Sequence, residues 1–186
     1  MLFTVVMSLN IRGKKMRSIH VDEISRNIKE MCIEANYYLS DDMKNALYKA
    51  ADQEENPLGC QILNQLKENL AIAGEEQIPI CQDTGMAVVF AEVGQDVHIE
   101  GGSLADAINK GVHDGYVEGY LRKSVVNDPF IRENTKDNTP AVIHYSIVLS
   151  LIFVLYNNLI NCGCIICIPQ IDYCVTFTTI IPSFFS

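Results

Sequence analysis

The sequence predicts an α+β fold with a helical segment leading. Three observations carry this. Apolar residues recur at helical spacing in three successive segments before residue 77; a β-rich apolar run follows at 86–93, bounded by Gly85 and Gly94; and a glycine-containing helical stretch then precedes a second β-rich run at 141–148. With 186 residues the chain has the length of one domain, or of one and a fraction, enough to bury a real core.

The elements follow in order. Residues 1–15, MLFTVVMSLNIRGKK, read as a leader or alternative-start extension, with Met16 as the second start, and their apolar run is too short to span a membrane. VDEISRNIKEMCIEA places Ile24, Ile28, Met31, Cys32 and Ala35 on one helical face, with Asp22 and Glu23 favourable at the positive end of the helix dipole. Ser40 reads as the N-cap of a second helix that opens on Asp41 and Asp42 and carries Met43, Leu47 and Ala50 on its apolar side. Pro57 opens a third, in which Leu58, Ile62, Leu66 and Leu70 recur every four residues until Gly74 supplies a stop.

The run MAVVFAEV, 86–93, is expected to form a hairpin with VHI, 97–99, through the Gly94-Gln95-Asp96 turn. Ser103 then caps SLADAINKGVHDGYVEGYLRKSVV, with Asp106 in a capping-box-like place. Inside this helix Gly111, Gly115 and Gly119 fall four apart, although each costs about 1 kcal/mol relative to alanine in a helix interior. Something must come close to that face: either a sheet packed tightly against it or a ligand approaching the backbone. Lys110, His113, Asp114 and Glu118 exclude a membrane helix dimer. NDPFIRENTKDNTP is a polar loop, and AVIHYSIV, 141–148, is a strand.

Charge narrows the function classes. The formal net charge of -9 excludes a phosphate-backbone surface, which needs clustered Lys and Arg, so no nucleic-acid partner is expected. A small anion remains compatible if a few basic residues converge. All 14 Lys and Arg lie between Arg12 and Lys136, and from Asn138 to Ser186 the only formal charge is Asp172. Seven cysteines without a secretory signal pattern point to reduced thiols in a cytoplasmic protein, hence to metal or cluster ligation over a disulfide framework.

The chemistry concentrates in IPICQDTG. Cys81 follows a proline and precedes Gln82-Asp83-Thr84-Gly85 at a strand entry, where a sulfur can face a cofactor while the glycine permits a turn closed to bulkier residues. His20, His98, His113 and His144 have no metal-ligand spacing and read as surface or strand residues. PICQDTG, VGQDVHIEGG, GYLRKSVV and ENTKDNTPAVIHY, in this order and spacing, closely resemble the alpha subunit, or N-terminal half, of class I iron-sulfur fumarases and their tartrate dehydratase relatives.

The resemblance runs from about Met16 to Val148. It implies a hydro-lyase that interconverts fumarate and malate, or dehydrates tartrate to oxaloacetate, with a 4Fe-4S cluster held by three thiolates and one iron left open to a C4 dicarboxylate substrate. It implies that Cys81 is one of those ligands, that Gln82 and Asp83 contact substrate with Asp83 catalytic, and that Arg122 grips a substrate carboxylate. A planar guanidinium offers a carboxylate the bidentate geometry that lysine cannot. Without the motif, Arg122 would read as a solvated arginine at a helix end, and Lys123 reads as solvent-facing. Asn138, Thr139 and Pro140 match a family signature that loop rigidity explains as well as substrate contact does. A beta subunit and a homo- or hetero-oligomer are implied as partners.

After residue 148 the chain departs from the family pattern. LSLIFVLYNNLINCGCIICIPQIDYCVTFTTIIPSFFS, 149–186, reads as a divergent apolar tail with no place in the family core, leaving 16–148 as a partial hydro-lyase domain. Cys162, Cys164 and Cys167 form a C-x-C-x2-C run, but nothing in the sequence positions them opposite Cys81. A membrane anchor over 141–168 is the rival account of this run, opposed by Asn157, Asn158 and Asn161 within it and by the lack of basic residues at its exit. With one of three cluster cysteines at a matching position, two readings of function stand. One is a hydro-lyase component, inactive in this form. The other is a non-catalytic fragment.

Overall fold

The computed structural model describes residues 2–7, 17–149 and 153–160, with side chains described for 18–149. The fold is α+β. Its elements are β1 (Leu2–Met7), β2 (Arg17–His20), α1 (Val21–Tyr37), α2 (Asp41–Gln53), α3 (Pro57–Glu76), β3 (Met86–Gly94), β4 (Val97–Glu100), α4 (Leu104–Glu118), β5 (Val142–Val148) and β6 (Phe153–Ile160).

The centre of the molecule is α1 lying against α4. Ile24, Ile28, Met31, Cys32 and Ala35 are buried along α1, as the helical spacing predicts, and Ala107, Ile108, Val112 and Tyr116 meet them from α4. His20 caps α1 by accepting the Asp22 N–H at its Nδ1, 3.3 Å away. The glycine spacing is explained by this contact. A Cβ on Gly111 would stand 2.6 Å from both Ile28 Cβ and the Ser25 carbonyl oxygen, and one on Gly115 would stand 2.8 Å from Cys32 Cβ. The close neighbour is therefore a second helix, neither the sheet nor the ligand that the sequence left as alternatives.

The larger sheet has four strands in the order β1-β6-β3-β5. Its β3–β5 pair is parallel, in the register Val89 with Ile143 and Ala91 with Tyr145, while β6 runs antiparallel to both β3 and β1. The hairpin expected between 86–93 and 97–99 does not form. Both edges of β3 are taken by β5 and β6, and β4 pairs instead with β2, in parallel. A local turn signal cannot reveal that more distant strands bury β3 better on both sides.

Three further expectations need correction. The tail from Leu149 is expected to have no settled place in the family core, yet its residues 153–160 form β6 at the middle of the sheet, where residues 2–7 pair with them. The Cys162, Cys164 and Cys167 run lies outside the described residues. The third helix does not stop at Gly74: it continues to Glu76 and ends on Gln77, whose φ of 54° is left-handed. Nor do the apolar faces of α2 and α3 enter the core. No residue of α2 is buried and Ala73 alone is buried in α3, with Leu58 and Ile62 facing solvent. No helix among the described residues is long and apolar enough to cross a membrane.

Candidate functional site

The stretch after α3 is anchored before it reaches Cys81. The Ile80 N–H donates to the Asn36 carbonyl at 2.9 Å, and Asn69 Nδ2 donates to the Ile80 carbonyl at 2.9 Å, so the ends of α1 and α3 aim the following turn. Within the turn the Asp83 N–H donates to Cys81 Sγ at 3.4 Å. Gly85 has a φ of 62°, which a side chain would oppose, and it delivers the chain into β3.

The second component leaves α4. The Leu121 N–H donates to the Tyr116 carbonyl at 3.1 Å, after which Arg122–Val125 run past the turn at Cys81–Gly85. Buried Thr84 donates from Oγ1 to the Arg122 carbonyl at 2.9 Å. That bond joins the two motifs across 38 residues of sequence.

Asn138 completes the arrangement. It is 0% exposed and holds φ at 64°, a left-handed conformation that asparagine tolerates better than most residues. Its Oδ1 accepts from the Ser124 N–H (2.7 Å) and the Val125 N–H (3.0 Å), while Nδ2 donates to the Gly85 carbonyl at 3.0 Å. One amide thus ties the arginine-bearing loop to the cysteine-bearing turn. The Tyr116 hydroxyl, 3.2 Å from both the Thr84 and Gly85 carbonyls, shares its single proton between them. Burial pushes this hydroxyl far above the ordinary phenol range, with Cys32 adding to the shift, so it stays a neutral donor. Tyr116→Phe is expected to cost about 1–2 kcal/mol by leaving these carbonyls less satisfied, read as a lower urea midpoint at unchanged m-value.

The side chains singled out by sequence sit on this scaffold unevenly. Cys81 and Asp83 are half-buried, while Gln82 is exposed. Arg122 is exposed and lies beyond the end of α4, in the loop rather than at a helix end; Lys123, expected to face solvent, is the half-buried one. Among the described residues no ion pair joins Asp83 to Arg122. Thr84 and Tyr116 carry no site role in the sequence reading, and Asn138 enters it only as part of a family signature that loop rigidity explains as well as substrate contact does.

A four-iron cluster with one open iron needs three protein sulfurs. Among the described residues no group of three His, Cys, Asp or Glu side chains is arranged to hold a metal. Cys32 lies in the core, Cys60 on α3 and Cys81 in the turn before β3, so these three are not gathered at one point. The described residues therefore do not by themselves fit a cluster. The histidines form no such group either: His144 stacks on Phe90 at 4.9 Å between centroids, and His113 bonds Asp114.

Comparison with known proteins assigns the class. The family model described as Fumarate hydratase (Fumerase) matches residues 25–155. A protein of Methanocaldococcus jannaschii named "Putative L(+)-tartrate dehydratase subunit alpha" is 38% identical over 117 residues, 62% of this chain and 41% of that relative. The "Fumarate hydratase class I, anaerobic" of Escherichia coli is 38% identical over 81 residues, 42% of this chain and 15% of the relative. The "Fumarate hydratase class I, aerobic" of Salmonella typhimurium is 40% identical over 81 residues, 42% of this chain and 14% of the relative. These relatives are hydro-lyases by name, and the turn at Cys81, the Arg122 loop and Asn138 all fall within the family match. The chain belongs to the fumarate hydratase family, and it spans less than half the length of these relatives.

Proposed function

We propose that this chain supplies the dicarboxylate-gripping part of a hydro-lyase site acting on a C4 acid, either fumarate and malate or tartrate. The observation that carries the reading is the Thr84–Arg122 hydrogen bond, reinforced by Asn138, which holds the arginine loop beside the Gln82-Asp83 turn. On this reading the Arg122 guanidinium binds one substrate carboxylate with two parallel N–H donors. Gln82 orients the substrate through its amide, and the Asp83 carboxylate accepts a hydrogen bond from the substrate hydroxyl and fixes its direction. Cys81 contributes one thiolate to a 4Fe-4S cluster whose other ligands come from outside the described residues. Such a cluster, when bound, supplies a Lewis-acidic iron. A beta subunit carries the remaining catalytic groups, in a reducing, cytoplasmic setting.

Calorimetric titration with malate and tartrate tests the grip without requiring turnover. Arg122→Lys is expected to weaken binding about 10-fold by losing the bidentate geometry, and Arg122→Ala about 100-fold by losing the charge as well. Equal affinity in wild type and Arg122→Ala would remove Arg122 from the site.

A second reading, a non-catalytic chain that engages a partner, is favoured by the lack of a three-ligand group among the described residues. Anaerobic reconstitution with iron and sulfide separates the two. On either reading the chain alone is expected to retain no cluster absorbance and to form no malate from fumarate. A beta subunit is not expected to restore either, because by the resemblance the missing cysteines belong to the alpha part; a cluster signal that disappears in Cys81→Ser, together with malate formation, would support the catalytic component, and no signal supports the non-catalytic reading.

A further inference from the structure

The chain leaves α4 through a strained residue. Gly119 caps the helix with φ at -81°, and the left-handed position falls one residue later, on Tyr120, at a φ of 53°. Left-handed backbone after a helix usually goes to glycine, because a Cβ crowds the adjoining carbonyl there. Packing keeps the glycine at 119 instead: a Cβ on it would stand 2.8 Å from Ile33 Cγ1 and 2.7 Å from the Gly115 carbonyl oxygen. The turn is fixed from several sides. The Gly119 N–H donates to the Gly115 carbonyl at 2.9 Å, the Leu121 N–H to the Tyr116 carbonyl at 3.1 Å and the Tyr37 hydroxyl to the Gly119 carbonyl at 3.1 Å, while Leu121 is 2% exposed. The Tyr120 side chain takes no part in this. It is 86% exposed, and among the described residues its hydroxyl makes no hydrogen bond. Gln77, the left-handed residue that ends α3, differs, since its amide bonds back to the Gly74 carbonyl at 2.6 Å. An aromatic residue held in strained backbone without an internal role for its hydroxyl points to a ligand.

We infer that Tyr120 is a further substrate-binding residue, whose hydroxyl donates to the same carboxylate that Arg122 grips; this rests on the reading of Arg122 given above. Leu121 is buried between the two, and Tyr120 and Arg122 are exposed on either side of it. A guanidinium fork engages two of a carboxylate's roughly four lone-pair sites and leaves the others open. A phenol hydroxyl suits one of them. It donates a charge-assisted hydrogen bond, and its ring has only two torsions to fix, so little side-chain freedom is lost on binding. Glycine at 120 would relieve the backbone but remove the donor. The tyrosine is therefore kept at the expense of stability, as residues at binding sites often are.

Calorimetric titration of the full chain with fumarate and with malate, alongside urea unfolding, tests the inference. Tyr120→Phe keeps the ring and the backbone and loses only the donor, so it is expected to weaken both acids about 10-fold at an unchanged urea midpoint. Tyr120→Gly should weaken them at least as much while raising the midpoint, because the left-handed conformation then costs less. Binding that falls as stability rises is an outcome that damage to the fold cannot produce. Arg122→Ala, measured beside these, separates the two readings. If Arg122→Ala is weakened and Tyr120→Phe binds as wild type does, the site stands and Tyr120 is removed from it. A loss for malate with fumarate unaffected would place the hydroxyl on the substrate hydroxyl and overturn the carboxylate contact. A wild type that binds neither acid, or that binds no better than Arg122→Ala, would overturn both readings together.

Discussion

Asn138→Ala is expected to destabilise the protein by about 4 kcal/mol. Three backbone groups lose their partner at once: the N–H groups of Ser124 and Val125 and the carbonyl of Gly85. Each buried polar group left unmet costs about 1–3 kcal/mol, with the two amides toward the lower end because they are only partly buried. The left-handed φ of 64° adds about 1 kcal/mol for alanine. Asn138→Gly loses the same hydrogen bonds but accepts that backbone conformation, so it should be milder by about 1 kcal/mol. Urea unfolding of the three proteins measures both differences. If Asn138→Ala stayed within about 1 kcal/mol of wild type, the amide could not be the tie between turn and loop. Malate affinity should fall in parallel, since the arginine loop would no longer be held against the Gln82-Asp83 turn.

The same residue shows where sequence reading ends. The α1 core face was legible because a period of 3.6 maps directly onto one side of a helix, and Ile24, Ile28, Met31 and Cys32 are all buried as that period requires. In α3 the same periodicity marked Leu58 and Ile62, which face solvent. Periodicity records which residues share a face, but whether anything packs there depends on tertiary placement. The strands divide in the same way. Both β-rich runs formed strands, but partner choice went to β5 and β6, whose pairing with β3 depends on contacts made far along the chain. The motifs single out Cys81, Gln82, Asp83 and Arg122 as the candidate site residues. The groups that hold those motifs together act across 31 to 53 residues, in Tyr116, Thr84 and Asn138, and no local pattern announces such contacts.

Gly111→Val should be the most damaging substitution among the helix glycines, at about 4 kcal/mol or more. The first added atom already fails to fit. Its Cβ would lie 2.6 Å from Ile28 Cβ and 2.6 Å from the Ser25 carbonyl oxygen, and the oxygen belongs to helical backbone that cannot swing aside as a flexible side chain can. Ser25 is also fixed from the other direction, because its Oγ donates to the Ala107 carbonyl at 2.8 Å and so pins α1 to α4 one turn away. Relief requires the two helices to separate, which opens the cluster of Ile24, Ile28, Ile108 and Val112. Gly111→Ala introduces the same clash but gains about 1 kcal/mol of helix propensity against about 1–3 kcal/mol of overpacking, for a net loss of about 1–2 kcal/mol. Valine adds two methyls and forfeits most of the propensity gain. Gly115→Ala should fall nearer to neutral, since its closest contacts are Cys32 Cβ at 2.8 Å and the Lys29 carbonyl at 3.1 Å. Gly74→Ala is the control. It lies within α3 with nothing closer than the Tyr38 ring at 3.4 Å, so propensity should dominate and stabilise by about 0.5–1 kcal/mol. Chemical denaturation should therefore rank Gly74→Ala above wild type, then Gly115→Ala, Gly111→Ala and Gly111→Val. A stabilised Gly111→Ala would mean that α1 and α4 do not approach this closely, and the packing account of the glycine spacing would fail with it.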